Sequence, residues 1–285
     1  MPRVDDRIDI PAPIVGVRLG WRSWLLIAVS SFFGLFALGW PLILPAVDVA
    51  PDHQADAPFI LGAMLPLILL LVLAQITDGG LDAKALAMLG VLSAINAVIR
   101  PALGAGTAGF ESVFFLLILS GRVFGPGFGY MLGHTSLFAS ALLTAGVGPW
   151  LPFQMMCAGW VGLAAGLLPR RVRGRAELAM LIGLGIISAY VYGLLMNLWF
   201  WPTITGIGVE GVPAGSLDYV PGAPITQNLL AFGWFTLLTS TGGWDTGRAI
   251  ATTLALLILG RPLLVVLRRA SGMARVTTDV AAPAR

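Results

Sequence analysis

Eight apolar runs, at 22–44, 59–76, 85–99, 110–121, 126–145, 151–168, 177–200 and 247–267, leave this chain few ways to fold. A helix needs about 20 predominantly apolar residues to cross a bilayer, and most of the runs reach or approach that length. They predict an all-α polytopic membrane protein. Composition agrees, because 57% of the residues are hydrophobic and only 11% are charged, outside the range of soluble domains. The 285 residues allow one membrane domain of six to eight helices. The run 110–121 is short for a crossing and ends in Gly121-Arg122-Val123-Phe124-Gly125-Pro126-Gly127. Glycine permits unusual backbone angles and proline suits a helix start, so a short or tilted helix is expected to turn sharply into 126–145.

Topology follows from the basic residues, since Lys and Arg favour cytoplasmic loops. With the N-terminus inside, Arg3, Arg7, Arg18, Arg22, Lys84, Arg122, Arg170, Arg171, Arg173, Arg175, Arg261, Arg268, Arg269, Arg275 and Arg285 all fall inside. Only Arg100 and Arg248 remain towards the outside, and the opposite orientation reverses the count. Both termini are therefore expected in the cytoplasm and the protein in the cell membrane. The same topology accounts for a sequence pI near 9.5 without nucleic acid as a partner. Met1–Gly20 is polar and contains proline, so it reads as a cytoplasmic tail rather than a cleavable signal.

The run 85–99 carries a second pattern. Ala83, Ala87, Gly90, Ala94 and Ala97 recur with steps of four and three, which places them on one narrow helical stripe among Leu86, Met88, Leu89, Val91, Leu92, Ile95 and Val98. Lipid supplies no hydrophobic drive for helices to associate, and small residues let backbones approach closely enough for packing to do so. Such a stripe serves packing within one protein or a seam for a separate helix; here the docking seam is the reading adopted.

Three segments are expected on the outer face. Segment 45–58 carries Asp48, Asp52, His53 and Asp56; segment 101–109 is flexible and low in bulk; segment 201–246 is long and rich in Gly, Pro and Trp. Its apolar stretch Leu229–Leu238 points to a structured, re-entrant cap over the bundle. Near these outer ends lie Arg100 and Glu111, which form an ion pair or face a ligand, then Trp150 and Gln154, Asn197, Trp199 and Trp201, and Trp244 and Asp245. Tryptophan suits the membrane boundary in any case. That preference leaves Gln154, Asn197 and Asp245 unexplained, because polar groups at membrane depth are costly and usually partnered. An aromatic wall with a few convergent polar groups is what a small-molecule pocket needs. Asp245 also precedes an expected helix start, so N-capping competes for it.

Catalysis finds no machinery. His134 sits at mid-depth in 126–145 without a second His or Cys to share a metal, and hydrogen bonding to a neighbouring helix accounts for it. Cys157, the single cysteine, lies in an apolar run, which excludes a disulfide framework. No Walker-type phosphate loop, Ser/His pair or pair of membrane carboxylates occurs, so no cofactor, metal or enzymatic activity is expected. Two other classes remain as alternatives. A stand-alone secondary transporter of a small metabolite would use His134 with Arg100 or Glu111 as coupling groups. An intramembrane enzyme would need a carboxylate cluster.

Segment 83–268 resembles the substrate-specific S component of energy-coupling factor (ECF) transporters, actinobacterial type. The resemblance is carried by the small-residue ladder and by Gly104-Ala105-Gly106-Thr107-Ala108-Gly109-Phe110-Glu111. Further on it is carried by Phe124-Gly125-Pro126 with Gly129 and Gly133, Gly148-Pro149-Trp150-Leu151-Pro152-Phe153-Gln154-Met155, and Thr239-Ser240-Thr241-Gly242-Gly243-Trp244-Asp245. It implies a six-helix core over 81–270, flanked here by an extra helix pair at 21–80 and tails at 1–20 and 271–285. It also implies that Ala83, Ala87, Gly90, Ala94 and Ala97 dock on a transmembrane T component served by two ABC ATPases. Substrate, a vitamin or vitamin precursor with a cobalamin-like compound favoured, is then expected at the outer side among Arg100, Glu111, Trp150, Gln154, Asn197, Trp201, Trp244 and Asp245.

Overall fold

The computed structural model describes residues 19–43, 53–77, 81–104, 113–203, 206 and 208–279. Glu111, the tail 1–18, and Asp48 and Asp52 of the acidic segment lie outside the described residues. Among those described there is no strand, and each apolar run forms a helix. These are α1 (Trp21–Ile43), α2 (His53–Thr77), α3 (Ala83–Gly104), α4 (Val113–Phe124), α5 (Pro126–Leu143), α6 (Leu151–Leu167) and α7 (Gly174–Phe200). After them come α8 (Ile225–Thr236), a π-helical segment (Leu237–Asp245) and α9 (Thr246–Asp279).

The short run is the buried centre of the bundle. Every side chain from Val113 to Ser120 in α4 is buried, and α4 packs against α5, α6 and α9. Twelve residues rise only about 18 Å, enough for a core helix that neighbours enclose on all sides. It turns into α5 where the sequence indicated: Gly125 has φ 100°, a backbone angle that side chains avoid, and Pro126 opens the next helix.

Glycines let α5 and α6 meet backbone to backbone. A Cβ built on Gly162 would overlap the Gly129 backbone, one on Gly129 that of Gly162, and one on Gly133 that of Ala158 and Gly159. His134 rests in the notch left by Gly159, with Nδ1 2.8 Å from the Tyr130 carbonyl of its own helix and Nε2 3.5 Å from Met156 Sδ. We expect Gly162→Val to destabilise the bundle by about 3 kcal/mol, because two backbones cannot yield as a flexible side chain can. Thermal unfolding of the purified protein checks this against Gly183→Val, where an added Cβ meets nothing within 4 Å.

The extra pair α1 and α2 packs on α5, α6 and α7. Tyr130 and Ser30 hydroxyls lie 2.7 Å apart, Trp160 Nε1 donates to Ser31 Oγ at 2.9 Å, and Gly34 sits against the Met156 side chain. On the other side of the bundle, α3 meets α5 through Ser93 Oγ, 2.7 Å from Thr135 Oγ1, and through Asn96 Nδ2, which donates to Ser136 Oγ at 3.0 Å. Ala83, Ala87, Gly90 and Ala94 are exposed on the outward face of α3. Ala97 is buried. At roughly 100° per residue it lies at the margin of the stripe, next to the inward-facing Ser93.

One end of the bundle is locked by ions. Arg122 Nε and Arg268 Nη2 both contact Glu177 Oε1, at 2.6 and 2.7 Å, and Arg122 also donates to the carbonyls of Leu168, Pro169 and Val172. The network joins α4, α7, α9 and the α6–α7 turn, and its buried carboxylate faces two cations, as burial demands.

The segment 201–246 departs from expectation. Helix resumes at Ile225, more than 20 residues ahead of the predicted start at 247, and runs unbroken through the π segment into α9. No re-entrant cap forms from Leu229–Leu238; that stretch belongs to the continuous helix. Gly242-Gly243 looks like a helix break, but a π-helical stretch absorbs it, with Thr241 Oγ1 donating to the Thr236 carbonyl at 3.1 Å and Thr246 Oγ1 to that of Thr241 at 2.7 Å. Asp245 consequently lies inside a helix and caps nothing. The span Ile225–Ser271 has 47 residues, about 70 Å of helix against a hydrocarbon core of about 30 Å.

Candidate functional site

The π segment builds a cavity with a charged floor at the end of the bundle opposite the Glu177 network. In an α-helix residues five apart point roughly 140° from each other; the wider π turn brings Ser240 and Asp245 together. Ser240 Oγ donates to Asp245 Oδ2 at 2.9 Å. One turn further on, Arg248 Nη1 donates to Asp245 Oδ1 at 3.1 Å. Both members of this ion pair are buried, Asp245 at 1% and Arg248 at 7% exposure.

Helix α7 supplies the opposite wall. The Asp245 carboxylate occupies a notch at Gly193, where an added Cβ would overlap it. The Arg248 guanidinium lies 4.7 Å from the Tyr192 ring centroid and 6.0 Å from that of Phe114, and those two rings meet edge to face at 5.1 Å. Aromatic faces thus help to hold a cation that the bundle has taken out of water. Above this floor opens a cavity of about 400 Å³. Asn197, Thr239 and Ser240 give it polar edges; Met196, Phe200, Phe235 and Trp244 give it apolar walls. The Asn197 Nδ2 group is buried without a hydrogen-bond partner. The volume lies within the range of small-molecule sites, and a mostly apolar cleft with few polar groups is their usual construction.

The residues singled out in the sequence divide into three places. Asn197, Trp244 and Asp245 line the cavity. Arg100 and Gln154 lie apart from its lining and meet across α3 and α6, the guanidinium donating to Gln154 Oε1 at 3.2 Å. Trp150, also outside the lining, folds its ring over Gly148. Trp201 is fully buried, with Nε1 donating to the Leu217 carbonyl at 2.6 Å and its ring against Tyr219 and Phe232. It pins the 208–224 loop onto α8. The proposed Arg100–Glu111 pair cannot be placed, since Glu111 is outside the described residues.

Arg248, Ser240 and Tyr192 were not singled out as site residues. A signal for Arg248 was present: an acidic and a basic residue three apart in an otherwise apolar helix are expensive unless paired and purposeful. His134 is fully buried in the α5–α6 seam and lies outside the cavity lining. Among the described residues no group of three His, Cys, Asp or Glu side chains could hold a metal ion.

Fold and site together define an all-α polytopic membrane protein with a small cavity, apolar-walled over a charged floor, at one end of its helix bundle. A family model described as "ECF transporter, substrate-specific component" matches residues 84–260, well over half of the chain. The chain belongs to this family: it is a substrate-specific membrane subunit of an ECF transporter, a transport component rather than an enzyme, and the family implies association with a T component and ATPases. The match begins at α3, so α1 and α2 precede it. Neither a curated relative nor a solved structure matches the chain.

Proposed function

We propose that this subunit captures a vitamin or vitamin precursor at the outer side of the membrane, in the cavity between α7, the π segment and α9. The basic residues support the orientation: the Arg122–Glu177–Arg268 end, with the arginine-rich α6–α7 turn, faces the cytoplasm, as do both termini. Residues 81–270 form the substrate-binding membrane domain, and the pair 21–80 is an added buttress. Arg100, Gln154 and Trp150 belong to the outer rim on the α3–α6 side.

The observation that carries the reading is the outward face of α3. Ala83, Ala87, Gly90 and Ala94 stay uncovered although the chain has two helices to spare, which pack on α5, α6 and α7 instead. That face is where the T component docks, and two ABC ATPases acting through it supply the work of release inside. The resemblance favours a cobalamin-like substrate, whereas a cavity of about 400 Å³ favours a smaller one.

Reconstitution tests the scheme. The small molecule that copurifies with the solubilised protein is identified by mass spectrometry, and its uptake is measured in proteoliposomes. Accumulation is expected to require the T component, both ATPases and ATP. Uptake by this chain alone, driven by a proton gradient, would establish a secondary transporter instead.

A further inference from the structure

The cavity's own chemistry narrows its ligand, on the reading that it is the capture site. We infer that the ligand is an uncharged, flat molecule of one to three fused rings carrying a hydrogen-bond acceptor on its edge, and that Asn197 reads that acceptor.

Charge comes first. Among the described residues the cavity is lined by one cation and one anion, Arg248 and Asp245, and the two are bonded to each other. Asp245 is satisfied a second time by Ser240. A ligand carboxylate or phosphate would have to share the Arg248 guanidinium with Asp245, which sets two anions against one buried cation. A ligand cation would have to compete with Arg248 for Asp245. Either arrangement leaves a net charge beside two groups that are only 1% and 7% exposed, which burial makes costly. A neutral ligand leaves the floor intact.

Hydrogen bonding comes second. Asn197 borders this cavity and its Nδ2 is buried with no partner, whereas most buried polar groups have one. A ring carbonyl or unprotonated ring nitrogen supplies the missing acceptor, and the Thr239 and Ser240 hydroxyls border the same space. Shape comes third. Phe200, Phe235 and Trp244 line it with aromatic rings, and a volume of about 400 Å³ lies at the small end of ligand pockets. A corrinoid, several times larger than a drug-sized ligand, would not be enclosed.

The test is calorimetric titration of the full chain in lipid nanodiscs with compounds of each class. Riboflavin and pyridoxine represent neutral flat rings, pantothenate and nicotinate carboxylates, thiamine a cation, and cyanocobalamin a corrinoid. Saturable binding confined to the neutral flat class is expected, weakened at least tenfold by Asn197→Asp and by Asn197→Leu. Retained T-component copurification shows that these variants are folded. Binding of a carboxylate, the cation or the corrinoid in a manner lost on Trp244→Ala overturns this inference and leaves the capture reading standing. Affinity unchanged in both Asn197 variants removes Asn197 as the reader. Failure of every class to bind overturns the inference together with the capture reading.

Discussion

Replacing Gly90 and Ala94 together by leucine is expected to abolish uptake, by at least about 100-fold, and to remove the T component from the purified complex while substrate binding is kept. A Cβ at Gly90 meets nothing within 4 Å and Ala94 is exposed, so the added side chains meet open space within the subunit itself. Their whole effect falls on a partner. Helix axes lie about 8 to 10 Å apart according to the side chains between them, and small residues favour the close end of that range. Two leucines on successive turns force the wide end, and in lipid no hydrophobic drive exists to recover what packing loses. The measurements are copurification, ATP-driven uptake and ligand titration on the same variant. A variant that still brings down its T component places the docking seam elsewhere.

That experiment is informative because the extra helices do not compete for the stripe. Sequence could not settle this point. The ladder on α3 was visible from its spacing, but which helix would cover it depends on long-range packing among helices that are all apolar and nearly indistinguishable by composition. The choice was made by details: Ser30 and Ser31 reach Tyr130 and Trp160, and Gly34 admits Met156, which fixes α1 against α5 and α6. Ala97 shows the same limit at the scale of one residue. Its step of three kept it in the pattern, yet the margin of a stripe faces inward or outward according to what lies beside it.

The helices themselves were legible, because hydrophobic length is a strong and local signal. The stretch 225–246 was not. Thr239-Ser240-Thr241-Gly242-Gly243 has the composition of a loop, and helix propensity alone would end the helix there. A π-helical stretch keeps the helix going by widening it, and threonine hydroxyls take up carbonyls five residues back. Part of the site was hidden with it. Asn197, Trp244 and Asp245 stand out in the sequence as polar or aromatic residues near helix ends, but the spacing places Asp245 before a helix whereas it lies within one. Its partners Ser240 and Arg248 come into reach only through the altered helical period.

The pair at the cavity floor leads to the other large effect. Arg248→Met is expected to destabilise the protein by about 3 to 5 kcal/mol, the usual result when one member of a buried ion pair is removed. Asp245 is 1% exposed and would keep only the Ser240 hydroxyl beside its charge. Adding Asp245→Asn removes the stranded charge and keeps the shape, so the double variant should regain most of the lost stability. A double-mutant cycle on thermal or denaturant unfolding in detergent measures this coupling directly. Ligand binding should behave differently: it falls in the single variant and does not return in the double, because the cavity has lost the cation that holds its floor against Tyr192 and Phe114. If Arg248→Met unfolds no more readily than the wild type, the Asp245 carboxylate is not held as a buried charge. The neutral character assigned to the ligand would then lose its electrostatic basis.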